Sequence, residues 1–213
     1  MIVIVQAVLF DLDGVLVDSS RSVELVWREW GKLRNRSPEP FIALAHGRRT
    51  SETIRLVGPE LDARAEAAVL DRMEEECTEG LVAGPGAMSL VRAIPLGRWG
   101  VVTSGHRPVA TLRLTSVGIP VPPVLVTGDQ VTNGKPDPEP YLAGLKGMAL
   151  DADQCLVIED APPGIVSAKA AGLRVIALTT THRAEALREA DIVVEDLTRV
   201  SIRVVAGGLE LQI

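Results

Sequence analysis

Three aspartates, Asp11, Asp13 and Asp18, stand within eight positions in the stretch FDLDGVLVD, directly behind an apolar run. Carboxylates this close repel one another, so a cation must answer them or they form a solvated turn. Three further strand-like runs lead into polar residues of complementary chemistry. RWGVVTS (98–104) ends in Thr103 and Ser104, with Gly105 next; NGKPDP, beyond PVLVT (123–127), holds Lys135; QCLVIED (154–160) ends in Glu159 and Asp160. Together they fit phosphoryl transfer. A carboxylate, Asp11, is the nucleophile, and Asp13 acts as general acid and then base. Asp11 and Asp160 hold Mg²⁺, which takes oxygen ligands and wants few protein carboxylates, with Glu159 in or behind that shell. Thr103 and the backbone N–H groups of Ser104 and Gly105 grip phosphate oxygens, and Lys135 neutralises developing charge. Gly14 allows the sharp turn that leaves the first strand.

The elements that must position these groups alternate along the chain. Ile2 to Phe10 is rich in Val and Ile with almost no polar alternation, which predicts one strand buried on both faces. The runs at 98–104, 154–160 and 173–179 repeat the pattern, and 123–127 and 191–195 are shorter candidates. Helical segments separate them: 107–118 closing at Gly118, 137–150 opening on Asp and Pro, and 161–172 closing at Gly172. The pattern predicts an α/β fold, a doubly wound, mostly parallel, Rossmann-like sheet, whose strand C-termini form the ligand edge. Residues 18–83 differ. Val23, Val26, Trp27, Trp30 and Leu33 recur at helical spacing, a second stretch is rich in Ala and Glu, and no strand signal intervenes. We read 18–83 as an inserted all-helical domain, with 1–17 and 84–213 forming the sheet domain. The tail IRVVAGGLELQI predicts a hairpin turning at Gly207 and Gly208.

The chain has 213 residues, 46% hydrophobic and 23% charged, with a net charge of −6. That length suits one domain carrying a smaller insert. The negative charge argues against nucleic acid or an anionic membrane as partner, but not against an anionic substrate met by a local cation. Cys77 and Cys155 form no paired or metal-binding spacing and read as packing residues in a reducing cytoplasm. The N-terminal apolar run is too short to span a bilayer and has no signal-peptide features. A monomer or small homo-oligomer acting on a small phosphorylated metabolite is expected.

FDLDGVLVDS, VVTSG, GKPDPEPY and VIEDAPPGI resemble, in order, the four motifs of the haloacid dehalogenase superfamily of phosphatases. Within it the chain looks most like the small-cap sugar and polyol phosphatases, with beta-phosphoglucomutase a near relative. The resemblance implies a Mg²⁺-dependent sugar or polyol phosphatase working through an aspartyl-phosphate on Asp11. It implies Asp13 as acid/base, the metal on Asp11, the Asp13 carbonyl and Asp160, and Thr103 with Lys135 on the phosphate. Asp13 argues against dehalogenation, because dehalogenases of the superfamily lack it. The helical insert becomes a cap that closes over substrate. A phosphomutase and a phosphoglycolate phosphatase remain alternatives.

In the expected cap, HGRRT (46–50) supplies His46 and Arg49 for substrate contact, while Arg48 reads as a solvated turn residue. Glu79 is a candidate for facing the cleft from the return hinge, and His106 and Arg107 for touching the leaving group. Trp27 and Trp30 read as cap core. Asp18 is expected to cap the first cap helix, or to serve as a hinge, behind the site.

Overall fold

Ile2 to Phe10 is not one strand. In the computed structural model, which describes residues 1–213, it divides at Gln6 into β1 (Ile2–Val5) and β2 (Ala7–Phe10). Burial alternates along β1, while all four residues of β2 are buried. The break falls on the single polar residue of the run. Gln6 donates its side-chain amide to the Gly207 carbonyl at 2.7 Å and its backbone N–H to Gln154 at 2.7 Å. The two halves thereby join different sheets.

From β2 the chain runs through an acidic turn to β3 (Val17–Asp18). Four helices follow: α1 (Ser20–Arg34), α2 (Glu39–Ala45), α3 (Thr50–Val57) and α4 (Ala63–Glu76). It returns through β4 (Val82–Ala83) and then alternates through α5 (Ala87–Ala93), β5 (Trp99–Val102), α6 (Arg107–Ser116), β6 (Val124–Val126) and α7 (Glu139–Met148). β7 (Cys155–Glu159), α8 (Pro162–Ala170), β8 (Arg174–Leu178) and β9 (Ile192–Val194) complete the alternation, and β10 (Ser201–Val205) and β11 (Gly208–Gln212) form the expected hairpin. α5 carried no sequence signal that singled it out.

The central sheet has six strands in the order β6-β5-β2-β7-β8-β9, every neighbouring pair parallel. Along β2, Val8 and Phe10 face one side and Ala7 and Leu9 the other. Both sides are covered, which is why the strand reads as unbroken apolar sequence. Tyr141, Leu145, Ile165 and Ala168 of α7 and α8 cover one face. Leu90 and Val91 of α5, Ala110 and Leu114 of α6, and Leu209 and Leu211 of β11 cover the other. β11 lies between β1 and β10 in a separate antiparallel sheet. β2 thus sits mid-sheet between β5 and β7, and the three strands deliver their C-terminal residues to one edge.

The four helices hold a core of their own. Val23, Val26, Trp27 and Trp30 of α1 meet Phe41, Ile54 and Leu70. Trp27 stacks on Phe41 with ring centroids 5.4 Å apart, and Trp30 meets Phe41 edge-on at 4.9 Å. Burying each such ring stabilises by about 1.5–3 kcal/mol. The Trp30 indole N–H is satisfied by Glu66 at 2.7 Å. α1 stops at Asn35, whose left-handed backbone lets its N–H and that of Arg36 close on Lys32 and Gly31. α4 starts at Asp62, whose carboxylate accepts the Arg64 and Ala65 N–H groups at 3.1 Å each. The two passages between sheet and helices run side by side, with Val17 opposite Ala83 and Asp18 opposite Val82. No helix is long and apolar enough to cross a membrane.

Candidate active site

Asp11 is the first residue after β2 and is 4% exposed; its N–H donates to Ile158 of β7 at 2.9 Å. The next turn closes tightly because Leu12 accepts from Val15, Leu16 and Val17. Gly14 adopts a left-handed φ of 82°, and a side chain there would run into the Asp160 carboxylate and Thr181. Gly14 therefore lets the loop after β2 approach the loop after β7.

Lys135, 1% exposed, lies between the acids. Its ammonium donates to Asp11 Oδ1 at 2.6 Å, to Glu159 Oε1 at 2.7 Å and to the Val102 carbonyl at 3.0 Å. Burial works against its charge, but Asp11 and Glu159 outweigh burial and hold its pKa above the usual lysine value. For Asp11 the balance differs. Burial raises its pKa to about 7 against the pull of Lys135, with Glu159 and Asp13 adding to the rise. Asp160, 1% exposed, is also driven well up by burial, then by Glu159 and Asp11. Thr181 donates its hydroxyl to Asp160 Oδ2.

Oxygens of Asp11, Glu159 and Asp160 come within 4.8 Å of one another, and the one lysine among them bonds only Asp11 and Glu159. A buried cluster with this imbalance calls for a further cation, and an all-oxygen donor set fits a hard divalent ion. Glu159 is already spent. Oε1 accepts from Lys135 and the Tyr141 hydroxyl, and Oε2 accepts the Asp160 and Ala161 N–H groups. Asp11 and Asp160 are the carboxylates of the group that could still hold an ion.

Asp13 is held by donors on both oxygens. Ser19 Oγ donates to Oδ1 at 2.6 Å, and Arg113 of α6 donates to Oδ2 at 2.8 Å. Thr103, after β5, is 4% exposed; its hydroxyl oxygen accepts the Gly105 N–H at 3.1 Å, which leaves the hydroxyl proton free to donate elsewhere. The Gly105 N–H is thus turned into its own loop rather than towards a phosphate. Ser104 sends its hydroxyl to the Gly47 carbonyl at 3.1 Å, tying this loop to the segment before α3.

A partly open cavity of about 50 Å³ lies over these groups. Asp11, Asp13, Thr103, Ser104 and Gly105 line it from the sheet, and Trp27, His46, Arg48, Thr50, Thr53 and Glu74 line it from the helices. Burial lowers the pKa of His46, partly offset by Asp13, which favours the neutral imidazole.

The two adjacent arginines exchange the places expected of them. Arg48 lines the cavity. Arg49 turns away from it, pairing with Glu52 at 2.7 Å and donating to the Gly128, Val131 and Thr132 carbonyls at 3.2, 3.3 and 3.0 Å. Arg49 caps a core loop instead of contacting the cavity. Asp18 is exposed and accepts the Ser20 N–H at 3.0 Å, so it organises the start of α1 and does not stand behind the acid cluster. Glu79 is exposed and pairs with Arg21. His106 meets Glu75 of α4 at 2.8 Å, and Arg107 donates to the Leu125 carbonyl at 2.7 Å; neither lines the cavity. Trp27 and Trp30 are buried among the helices as expected, although Trp27 also reaches the cavity wall. Arg113, Glu74, Ser19, Thr181 and Tyr141 had escaped sequence reading. For Arg113 a signal existed: it is the lone charge on a stripe of Val109, Ala110 and Leu114 at helical spacing.

A family model described as haloacid dehalogenase-like hydrolase matches residues 8–178. Hexitol phosphatase A of Escherichia coli (strain K12) is 40% identical over 91% of this chain and 92% of its own. Glycerol-1-phosphate phosphohydrolase 2 of Saccharomyces cerevisiae is 35% identical over 96% of this chain and 86% of its own. Among solved structures, a hydrolase from Pseudomonas syringae superposes with a TM-score of 0.79 at 27% identity, covering 90% of this chain and 94% of that one.

Proposed function

The chain belongs to the haloacid dehalogenase-like hydrolases, and on that premise we propose that it is a Mg²⁺-dependent phosphatase of small phosphorylated sugars and polyols that works through an aspartyl-phosphate on Asp11. The observation that carries the reading is the placement of Asp11, buried at a strand end between Lys135 and Asp160, in the wall of a polar cavity with Asp13 beside it. The names of its relatives, a hexitol phosphatase and a glycerol-1-phosphate phosphohydrolase, support phosphate monoesters of this class.

Asp11 attacks phosphorus in line while the leaving oxygen departs towards Asp13. Asp11 and Asp160 would hold a divalent ion, which when bound would supply positive charge against the repulsion between a carboxylate nucleophile and a phosphate dianion. Lys135 remains charged beside Asp11 and stabilises negative charge as it moves between nucleophile and phosphoryl group. The Thr103 hydroxyl donates to a phosphoryl oxygen. Asp13 protonates the departing alkoxide and, now a carboxylate, takes a proton from water that attacks the aspartyl-phosphate. Arg113 and Ser19 hold its two oxygens so that one side chain serves both steps. Residues 18–83 act as a cap on the sheet domain of 1–17 and 84–213, and the paired passages β3 and β4 serve as its hinge. Closing the cap excludes bulk water from the cavity.

Phosphate release from glycerol 1-phosphate and a hexitol 6-phosphate, with Mg²⁺ present, tests this. Wild-type protein turns over at least one, and Asp11→Asn loses about 10⁴-fold or more in kcat while keeping its fold by circular dichroism. An Asp11→Asn variant that retains wild-type rates refutes the assignment.

A further inference from the structure

The segment Thr180-Thr181-His182 follows β8 and has no part in the reaction described above. β8 runs parallel to β7 with Ala177 opposite Glu159, so the segment emerges at the sheet edge that carries Asp160. All three side chains bond back into that edge. Thr180 Oγ1 donates to the Gly14 carbonyl at 2.6 Å, in the turn directly after Asp13. Thr181 Oγ1 donates to Asp160 Oδ2. His182 Nδ1 lies 3.1 Å from the Asp160 carbonyl and 2.9 Å from Thr181 Oγ1. A carbonyl only accepts, so Nδ1 carries a proton. The bonds then run in one direction, from His182 through Thr181 to the Asp160 carboxylate, each strengthening the next.

We propose that Thr181 is a positioning residue for the divalent cation: by holding Asp160 Oδ2 it keeps Oδ1 turned towards the ion, and Thr180 ties the turn after β2 to the same segment. The tether rests on the phosphatase reading, which puts that ion on Asp11 and Asp160. Among the buried acids Asp160 is the one with least support. Glu159 accepts from Lys135, Tyr141 and two backbone N–H groups, Asp13 from Ser19 and Arg113, and Asp11 from Lys135. The Asp160 carboxylate takes one bond, from the neutral Thr181 hydroxyl. Its other close neighbour is Gly14, which has no side chain to steady it. One hydroxyl therefore sets which way a carboxylate that is 1% exposed faces. A tethered carboxylate has given up its rotational freedom on folding, so the cation does not meet that cost on binding. A hydroxyl also orients the acid without cancelling its charge, which an ammonium in that place would do. Such outer partners of metal-ligating groups are typically worth about 10–100-fold in metal affinity.

Calorimetric titration of Mg²⁺ into metal-free protein tests the tether without reference to turnover. Thr181→Val keeps the shape and removes the hydroxyl; it binds Mg²⁺ about 10–100-fold more weakly than wild type, whereas Thr181→Ser, which keeps the hydroxyl, stays within about threefold. A Thr181→Val protein that binds as wild type does overturns the tether. So does a Thr181→Ser protein that binds as weakly as Thr181→Val, because the methyl group and not the hydroxyl would then matter. Linkage supplies a second measurement on wild type alone: a tether that favours the ion is favoured by the ion to the same degree. Trypsin cleavage after Arg183, which is exposed and adjoins the segment, therefore slows by about tenfold or more when saturating Mg²⁺ replaces EDTA, measured against cleavage after the exposed Arg64 in the helical insert. A ratio of the two cleavages that ignores Mg²⁺ overturns the tether even if Thr181→Val does not fold. Wild-type protein that binds Mg²⁺ no better than Thr181→Val loses the tether alone. Wild-type protein that takes up no Mg²⁺ loses the metal-dependent phosphatase reading and the tether with it.

Discussion

Stripping divalent cations makes the stability of this protein fall as pH rises through neutrality. Burial lifts the Asp11 carboxyl from 3.8 to about 7, and lifts Asp160 in the same direction. Between those two values the folded chain holds a proton that the unfolded chain has released. The contribution is complete below about pH 4 and lost as pH rises through about 7. About three pH units at about 1.36 kcal/mol each give about 4 kcal/mol for Asp11 alone, of which about 3 kcal/mol falls between about pH 5 and about pH 8. For a chain of this length that is a shift in Tm of about 6–12 °C. Urea unfolding at about pH 5 and about pH 8, in EDTA and in saturating Mg²⁺, reads it directly. In EDTA the protein is less stable at the higher pH by about 3 kcal/mol; Mg²⁺ favours the ionised carboxylates and flattens the difference. Asp11→Asn removes the Asp11 share and, in EDTA at the higher pH, is more stable than wild type. EDTA and Mg²⁺ curves that superimpose, or stability in EDTA that climbs with pH, refute the reasoning.

Lys135→Met leaves Asp11 and Glu159 buried without their shared cation; denaturant unfolding shows a loss of about 3–5 kcal/mol. Adding Glu159→Gln to it recovers part of that loss, since one of the two stranded charges is gone. Arg49→Ala removes three donations to core-loop carbonyls. One charged hydrogen bond is worth about 1.5 kcal/mol or more, so proteolytic nicking of residues 18–83 speeds up about tenfold or more.

That these residues would meet was legible because each comes after a strand in contiguous sequence. Asp11, Asp13, Thr103 and Asp160 sit within three residues of an apolar run, with Lys135 in the loop eight residues beyond 127, and parallel strands must bring such ends to one edge. The second layer was not legible, because it is made by pairs distant in sequence. Arg113 meets Asp13 from the middle of a helix, and Glu74 comes from another helix altogether. The apolar stripe on α6 marks Arg113 as facing inward, but nothing local names the partner it meets there. Arg48 and Arg49 fail differently: the extended backbone at Arg49, φ −69° and ψ 142°, precedes α3 and sends neighbouring side chains opposite ways. Which one enters the cavity depends on a backbone angle, not on composition. The division at Gln6 was equally hidden, since both halves of the run are apolar and only the distant partners of β1 and β2 distinguish them.

The position of β2 also has a consequence during synthesis. Its neighbours β5 and β7 lie far downstream, so an entirely apolar strand leaves the ribosome long before anything can pair with it. Asp160 follows Asp11 by roughly 150 residues, about 8–30 s at about 5–20 residues per second. In that interval the nascent segment is a template for association with other chains. The acidic residues that follow it are then ordinary solvated carboxylates, and charges beside an apolar strand deter such pairing. The acids that follow β2 thus guard the strand while it waits for its partners.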